Sequence, residues 1–145
     1  MSGNFFCYDP NNITIVGAGV PIDGGFADGA FVEIAYDSDA FVDVVGTDGD
    51  VTRSKTNDRR ATITISLMSS SNNNTLFSLI HNIDLGQDNG AGVGPALIKD
   101  NQGTTLFAAE KSWVMKTPDR TFDKTATAVV WKIRCADLKC RIGGN

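Results

Sequence analysis

Apolar and polar residues alternate along several short stretches of the chain, and this period of two predicts β-strands. The clearest stretch is residues 61–68, in which Thr and Ser side chains alternate with Ile63, Ile65 and Leu67. A strand with one buried face has this pattern because successive side chains point to opposite faces of a sheet. The same pattern predicts a long strand within residues 126–135, with Trp131 on its buried face.

Further strands are predicted from short runs of β-branched and aromatic residues at 12–16, 31–36 and 40–45. The last two runs flank Asp37–Asp39, which has the length and residue types of a hairpin turn. We therefore predict that residues 31–45 form a β-hairpin. Two more strand-like runs surround the turn composition of residues 101–103.

The period changes to that of a helix after the Ser- and Asn-rich segment that follows residue 68. Apolar residues recur there at positions i, i+3, i+4 and i+7: Leu76, Leu79, Ile80 and Ile83. With Gly86 as a stop signal, the spacing predicts a helix over about residues 73–84 whose apolar stripe packs on the core. The residues expected to face outward are Asn74, Ser78, Asn82 and Asp84.

These elements predict a mainly β fold, an antiparallel β-sandwich or small barrel with one flanking α-helix. The 145 residues are predicted to form a single domain spanning residues 1–145, which is long enough to bury one core. The N-terminus has neither the basic region nor the apolar run of a signal peptide. No window approaches the roughly 20 apolar residues of a membrane-spanning helix, so no membrane segment is predicted.

Charge is unevenly distributed along the chain. Residues 1–51 contain nine acidic residues and no Lys or Arg, whereas residues 111–145 contain eight cations and three acids. Two explanations stay open: opposite charges pair across neighbouring strands of one sheet, or acidic and basic surfaces attract copies of the chain head to tail. The net charge of −4 argues against a dedicated nucleic-acid grip.

Residues 46–60 are predicted to form a charged loop in front of the strand at 61–68. The loop carries both signs of charge, on Asp48, Asp50, Arg53, Lys55, Asp58, Arg59 and Arg60. It lacks the aromatic residues on which bases stack, and its carboxylates cancel much of the basic field. Mixed charges fit a specific contact with another protein chain, where they fix the register. A solvated hairpin tip is the plain alternative.

The sequence offers no catalytic, cofactor or metal constellation. His81 is the only histidine, and beside the apolar stripe of the predicted helix it is expected to be structural. Cys7, Cys135 and Cys140 include no Cys-x-x-Cys pair and are expected to be reduced thiols. The Gly-x-Gly of residues 17–19 lacks the third glycine and the following helix of a dinucleotide-binding turn. No enzyme is predicted.

Four segments together resemble the short tail tube proteins of contractile-tailed bacteriophages. They are residues 25–34 (GFADGAFVEI), 40–68 (AFVDVVGTDGDVTRSKTNDRRATITISLM), 97–114 (LIKDNQGTTLFAAEKSWV) and 136–145 (ADLKCRIGGN). The resemblance implies a β-sandwich with one flanking helix, six copies to a ring, and rings stacked head to tail into a hollow tube inside a contractile sheath. This architecture is shared with the needle protein of type VI secretion systems.

The resemblance also implies location and partners. The protein would be assembled in the host cytoplasm into the virion tail, where DNA passes through the lumen without specific binding and sheath contraction drives the tube through the host envelope. Its partners would be other copies of itself and the tail sheath, baseplate, tape measure and tail terminator proteins. The termini and the loop of residues 46–60 would take part in assembly.

The resemblance assigns candidate surfaces to the predicted elements. The hairpin of residues 31–45 is the candidate for the lumen, because it would present an anionic wall of Glu33, Asp37, Asp39 and Asp43. The helix would lie on the tube exterior, with Asn74, Ser78, Asn82 and Asp84 towards the sheath.

Two alternatives to a phage tube stay open. The tube of a phage-tail-like bacteriocin or secretion particle would have the same sequence features. A small β-barrel that binds a ligand would have a similar number of strands, but it would need an aromatic-lined groove. Trp113 and Trp131 are the only tryptophans, and Trp131 has the alternation of a core residue.

Overall fold

A computed structural model describes residues 7–144 of the chain. A single 3-10 turn, Pro10–Asn12, precedes the first strand. The described strands are β1 (Ile13–Gly17), β2 (Val20–Ile22), β3 (Val32–Tyr36), β4 (Phe41–Val45), β5 (Val51–Lys55), β6 (Ala61–Leu67), β7 (Gly94–Asp100), β8 (Leu106–Val114), β9 (Val129–Cys135) and β10 (Lys139–Arg141). One α-helix, α1 (Asn73–Leu85), lies between β6 and β7. The assembly role predicted for the termini falls in part on residues 1–6 and 145, outside the described residues.

Eight of the described strands form one antiparallel sheet. Seven of them follow the order β2-β1-β7-β8-β9-β6-β3, and the eighth, β10, pairs with β8. The long strand β8 joins two halves of the sheet, because its first part pairs with β7 and β10 and its last part pairs with β9. Strands β4 and β5 pair only with each other, as a separate two-stranded ribbon. The prediction of a mainly β fold with antiparallel sheets and one helix is confirmed.

The two halves of the large sheet pack face to face. A Cβ atom built on Gly17 of β1 would come within 2.5 Å of Ile133 Cδ1 of β9 and 3.4 Å of Ile65 Cδ1 of β6. Strands β1 and β6 are far apart in the sheet order, so this contact requires the sheet to fold over on itself. Phe77 of α1 closes the core, with its ring centroid 5.3 Å from that of Trp131.

The alternation predicted for two strands is confirmed. In β6, Ile63, Ile65 and Leu67 are buried while the Thr and Ser residues between them are half-buried. In β9, Trp131 and Ile133 are buried in the same alternating way. Residues of one face of each strand therefore build the core.

The Gly-x-Gly of residues 17–19 forms a hairpin turn. Ala18 and Gly19 have φ angles of 49° and 83° and form the two-residue connection between the paired residues Gly17 and Val20. A type I′ hairpin turn requires positive φ at both central residues, which explains Gly19. The motif is thus a strand connection.

The predicted hairpin of residues 31–45 is wrong. Strand β3 pairs with β6, and β4 pairs with β5. The reason is burial: Val32 and Ile34 of β3 pack against the core, whereas all five residues of β4 are exposed. The turn-like residues Asp37–Asp39 instead lead the chain out of the sheet into the ribbon.

The helix is confirmed within one residue of the predicted end, but its orientation differs from the prediction. The buried residues of α1 are Asn73, Phe77 and His81. The predicted core residues Leu76, Leu79 and Ile83 are between 41% and 56% exposed, and only Ile80 packs against the core. The contact of Phe77 with Trp131 fixes this orientation, because the helix turns its bulkiest apolar side chain inwards.

Gly17→Ala is expected to lower the free energy of unfolding by about 1–3 kcal/mol. The new methyl group would displace Ile133, which is fully buried within a packed core. Urea unfolding followed by tryptophan fluorescence measures the change. Gly86→Ala is the matched control, because Gly86 has φ −84° and a Cβ atom built on it would lie 3.5 Å or more from its nearest neighbours. Equal stability of the two variants would contradict the face-to-face packing.

The cysteines are expected to differ in reactivity. Cys7 and Cys140 are exposed, whereas Cys135 is buried in β9. Burial raises the pKa of the Cys135 thiol to about 11, so the reactive thiolate is scarce at neutral pH. We expect Ellman's reagent to modify two thiols rapidly in the native protein and the third only after denaturation. Rapid modification of all three would contradict the burial of Cys135.

Candidate assembly surfaces

The described residues provide no metal centre and no helix for a membrane. Within residues 7–144, no three His, Cys, Asp or Glu side chains come together as metal ligands. No helix in this part of the chain is long and apolar enough to cross a bilayer. His81 lies on the buried face of α1, and its Nδ1 has no hydrogen-bond partner among the described residues.

The ribbon of β4 and β5 exposes both of its faces. All ten of its residues are exposed, and its large apolar side chains are between 46% and 67% exposed. Residues directly opposite each other share a face, and the register places Val44 opposite Thr52 and Asp43 opposite Arg53. One face therefore consists of Val42, Val44, Thr52 and Ser54. The other consists of Phe41, Asp43, Val45, Val51, Arg53 and Lys55.

The tip of the ribbon is a tight acidic turn. The N–H of Gly46 donates to the carbonyl of Asp50 at 2.7 Å, and the N–H of Gly49 donates to the carbonyl of Gly46 at 3.0 Å. Asp48 Oδ1 accepts from the N–H of Asp50 at 3.3 Å. Asp48 and Asp50 thus have positions fixed by the turn. The segment 46–60, predicted as one loop, is a turn, a strand and a connection.

The connection that follows the ribbon is bound within its own subunit. Arg60 donates to both carboxylate oxygens of Asp58 at 2.9 Å, and these bonds hold the pKa of Asp58 well below its usual range. The Arg59 guanidinium stacks 4.2 Å from the ring centroid of Tyr36. Asp58, Arg59 and Arg60 therefore already have partners in the subunit. The other predicted interface residues lie in the ribbon or at its tip: Asp48, Asp50, Arg53 and Lys55.

The four lumen candidates do not lie on one wall. Glu33 is on the outer face of β3. Asp37 forms an ion pair with Arg134 and accepts from Thr62 Oγ1 at 3.2 Å. Asp39 is in the connection to the ribbon, and Asp43 is in the ribbon opposite Arg53.

The ion pair of Asp37 with Arg134 bears on the uneven charge of the chain. It joins the acidic N-terminal third to the basic C-terminal third across β6, which lies between β3 and β9. Pairing of opposite charges within one sheet therefore accounts for part of the uneven distribution of charge along the chain.

The four sheath candidates also separate into two groups. Asn74 donates to the carbonyl of Met68 and accepts from Trp131 Nε1, both at 2.9 Å. Asp84 is half-buried and accepts from the N–H of Gly92 at 3.4 Å. Ser78 and Asn82 are exposed. Three apolar residues lie on the outward surface of α1, although the sequence predicted that they face the core. We call them the helix stripe: Leu76, Leu79 and Ile83.

The chain is similar in sequence to a family of phage tail tube proteins and to a structural protein of a phage. The sequence model of the Bacteriophage PhiTE tail tube protein family matches residues 6–143. Among curated proteins, Structural protein ORF10 of Pseudomonas phage KPP10 is 28% identical over 150 residues, which cover 100% of this chain and 87% of ORF10.

The fold is similar to solved structures of contractile systems. The tube-terminating cap of the anti-feeding prophage has a TM-score of 0.58 at 9% identity, covering 97% of this chain and 95% of that chain. The sheath/tube terminator of the extracellular contractile injection system PVC has a TM-score of 0.60 at 13% identity, with coverage of 95% and 99%. A chain of the PVC sheath-tube complex has a TM-score of 0.53 at 13% identity, with coverage of 94% and 92%. At these identities the likeness shows the fold alone.

The family match extends over nearly the whole described chain and concerns structural, non-enzymatic proteins. It confirms the predicted family and the prediction that the chain is not an enzyme. The chain therefore belongs to the Bacteriophage PhiTE tail tube protein family, a family of structural components of the phage virion tail.

Proposed function

We propose that six copies of the chain form a ring and that rings stack head to tail into the inner tube of a contractile tail. DNA passes through the lumen, and sheath contraction drives the tube through the host envelope. Assembly takes place in the host cytoplasm. The observation that carries the self-assembly is the ribbon, because a two-stranded ribbon with apolar side chains on both faces is marginal in water and prone to pair with other chains.

The ribbon is the contact between copies. Its face of Val42, Val44, Thr52 and Ser54 has no charged group and suits close packing. Its other face and its tip carry Asp43, Asp48, Asp50, Arg53 and Lys55, which fix the register against a complementary surface. We infer that the ribbon packs on a different surface of the next copy, so that the contact is heterologous; such contacts generate rings or open polymers.

The helix stripe is the contact with the sheath. Leu76, Leu79 and Ile83 are apolar, exposed and one helical turn apart on α1. Two of the solved structures with a similar fold come from assemblies that contain a sheath/tube terminator or a sheath-tube complex. Ser78 and Asn82 border the stripe as polar rim residues. Baseplate, tape measure and tail terminator proteins are further partners that follow from the family resemblance.

The outer face of β3, β6 and β9 lines the lumen. It carries Glu33, the half-buried hydroxyl residues Thr62 and Thr64, and Lys132, while Arg134 is neutralised by Asp37. A surface of hydroxyl groups and balanced charges gives a polyanion no binding site. A ring of six copies would carry a net charge of about −24, which opposes adhesion of DNA to the wall.

A tube of an injection particle without a genome is the second candidate. The solved structures with a similar fold come from an anti-feeding prophage and an extracellular contractile injection system. Such a tube would consist of the same stacked rings, but its lumen would carry a cargo other than DNA.

Electron microscopy of the purified full-length chain, with negative stain, tests self-assembly. We expect rings or tubes of uniform width that form above a critical concentration and dissociate on dilution. A monodisperse monomer at every concentration, in sedimentation velocity as well as in micrographs, would contradict the proposal.

A further inference from the structure

The connection between β8 and β9, residues 115–128, presents an aromatic side chain to solvent. Phe122 is 86% exposed, more than any other large apolar residue in the described chain. The Arg120 guanidinium lies 4.9 Å from the centroid of its ring. Arg120 Nη1 also donates to Thr127 Oγ1 at 3.0 Å, and this hydroxyl donates to the carbonyl of Thr121 at 3.0 Å. These bonds tie together the two arms of the loop on either side of Phe122.

An apolar groove opens elsewhere on the same subunit. It lies between β3, which contributes Val32 and Ile34, and the neighbouring strands β1 and β7, which contribute Ile13 and Ile98. We call this groove the seam. It has a volume of about 470 Å³, and none of the described residues that line it is charged. Its size and composition suit an aromatic side chain.

The loop and the seam are also complementary in charge. Residues 115–128 contain three cations and two acids, with Arg120 and Lys124 on either side of Phe122. Asp9 and Asp28 directly precede two residues that line the seam, and residues 1–52 contain no Lys or Arg. Lys99 follows the lining residue Ile98 in β7 and therefore points to the opposite face of the sheet.

We propose that Phe122 of one copy inserts into the seam of a neighbouring copy. This contact rests on the proposed function, since it requires that copies assemble, and it is additional to the ribbon. An aromatic anchor that fills an apolar pocket, with charged groups at the rim, is the usual centre of a protein interface. Because loop and seam are different parts of the surface, the contact is heterologous and propagates from copy to copy.

Cross-linking between two separately purified variants tests the contact. In a background with Cys7→Ser and Cys140→Ser, which removes the exposed thiols, one variant carries Thr121→Cys beside the anchor and the other carries Ala30→Cys in the seam. The two are mixed under assembly conditions and oxidised mildly. We expect a covalent heterodimer on a non-reducing gel, at a yield that neither variant reaches alone.

Three outcomes would overturn the inference. Absence of the heterodimer while micrographs show tubes would overturn the contact and leave the proposed function intact. A third variant carries both Thr121→Cys and Ala30→Cys, and a cross-link that forms only within this chain would show that the loop occupies the seam of its own subunit. Failure of the unmodified chain to assemble would overturn the proposed function as well.

Substitution of the anchor provides an independent measurement. Phe122→Ser is expected to raise the concentration for half-maximal assembly roughly ten- to a hundredfold, because it removes the apolar area that the seam would bury. Phe122→Leu, which keeps an apolar side chain, is expected to shift it by less. The melting temperature of the monomer stays unchanged in both, since Phe122 is exposed. Assembly of the Ser variant at the unmodified concentration would overturn the inference.

Discussion

Val44→Asp in the ribbon is expected to abolish assembly and leave a folded monomer. Val44 is 67% exposed, so in the monomer the carboxylate meets water and stability changes by no more than about 0.5 kcal/mol. Between two copies the same carboxylate would be buried without a partner, at a cost on the order of 4 kcal/mol. The concentration required for assembly then rises by about three orders of magnitude. Sedimentation velocity measures assembly, and thermal melting measures the fold.

Val44→Thr is the matched control for this substitution. Thr has nearly the shape of Val, carries no charge and is already present opposite as Thr52. We expect tubes from this variant at a concentration within about tenfold of the unmodified chain. Tubes of normal width from Val44→Asp would show that the ribbon does not lie between copies.

Charge reversal at Arg53 is a less specific test of the ribbon than Val44→Asp. Arg53 stacks on Phe41 and lies opposite Asp43 within the same ribbon. Arg53→Glu would place like charges directly across the two strands and weaken the ribbon itself. Loss of assembly in that variant would have two explanations, whereas Val44 has no charged group opposite it.

Leu79→Asp on α1 is expected to leave the tube intact and to prevent the sheath from assembling around it. Leu79 is 56% exposed and lies between Leu76 and Ile83 in the helix stripe. A carboxylate there would be buried unpaired against the sheath, so we expect the affinity for sheath protein to fall by about a hundredfold or more. Co-assembly of purified tube and sheath proteins, examined by electron microscopy, measures the effect.

Ser78→Asp is the control for the helix stripe. It adds the same carboxylate one residue earlier, at an exposed polar position of the same helix. We expect sheath to assemble on this variant. Normal sheath on Leu79→Asp tubes together with bare Ser78→Asp tubes would assign the contact to the polar residues of α1 instead.

The strands that build the core could be predicted because one face of each is buried. In β6 and β9 the alternation of apolar and polar residues follows directly from that burial, and a shift of one residue would expose every core side chain. The helix could be located from its period and from the Ser, Asn and Gly residues at its ends. These signals are local in sequence.

The pairing of β3 could not be read from local signals. Asp37–Asp39 has the composition of a hairpin turn, and β4 follows it directly. The pairing is decided instead by Val32 and Ile34, which lie opposite Ile65 and Ile63 of β6 across the core-facing side of the sheet. A partner some thirty residues away in sequence leaves no mark on the turn itself.

The exposed apolar surfaces were missed for a related reason. The helix has apolar residues on more than one face, and we assumed that the larger group, which contains Leu79, must face the core. The contact of Phe77 with Trp131 decides which face of the helix is buried, and this contact depends on the position of β9 in the fold. The prediction for the ribbon was based on its charged residues, although its Val residues are exposed as well.

Cryo-electron microscopy of the tube assembled from the full-length chain is the most direct test of how the chain functions. We expect stacked rings of six copies in which the ribbon of each copy is covered by another copy and the helix stripe lies on the outer surface. A tube in which the ribbon is bathed in solvent, or in which α1 lines the lumen, would contradict the proposed assembly.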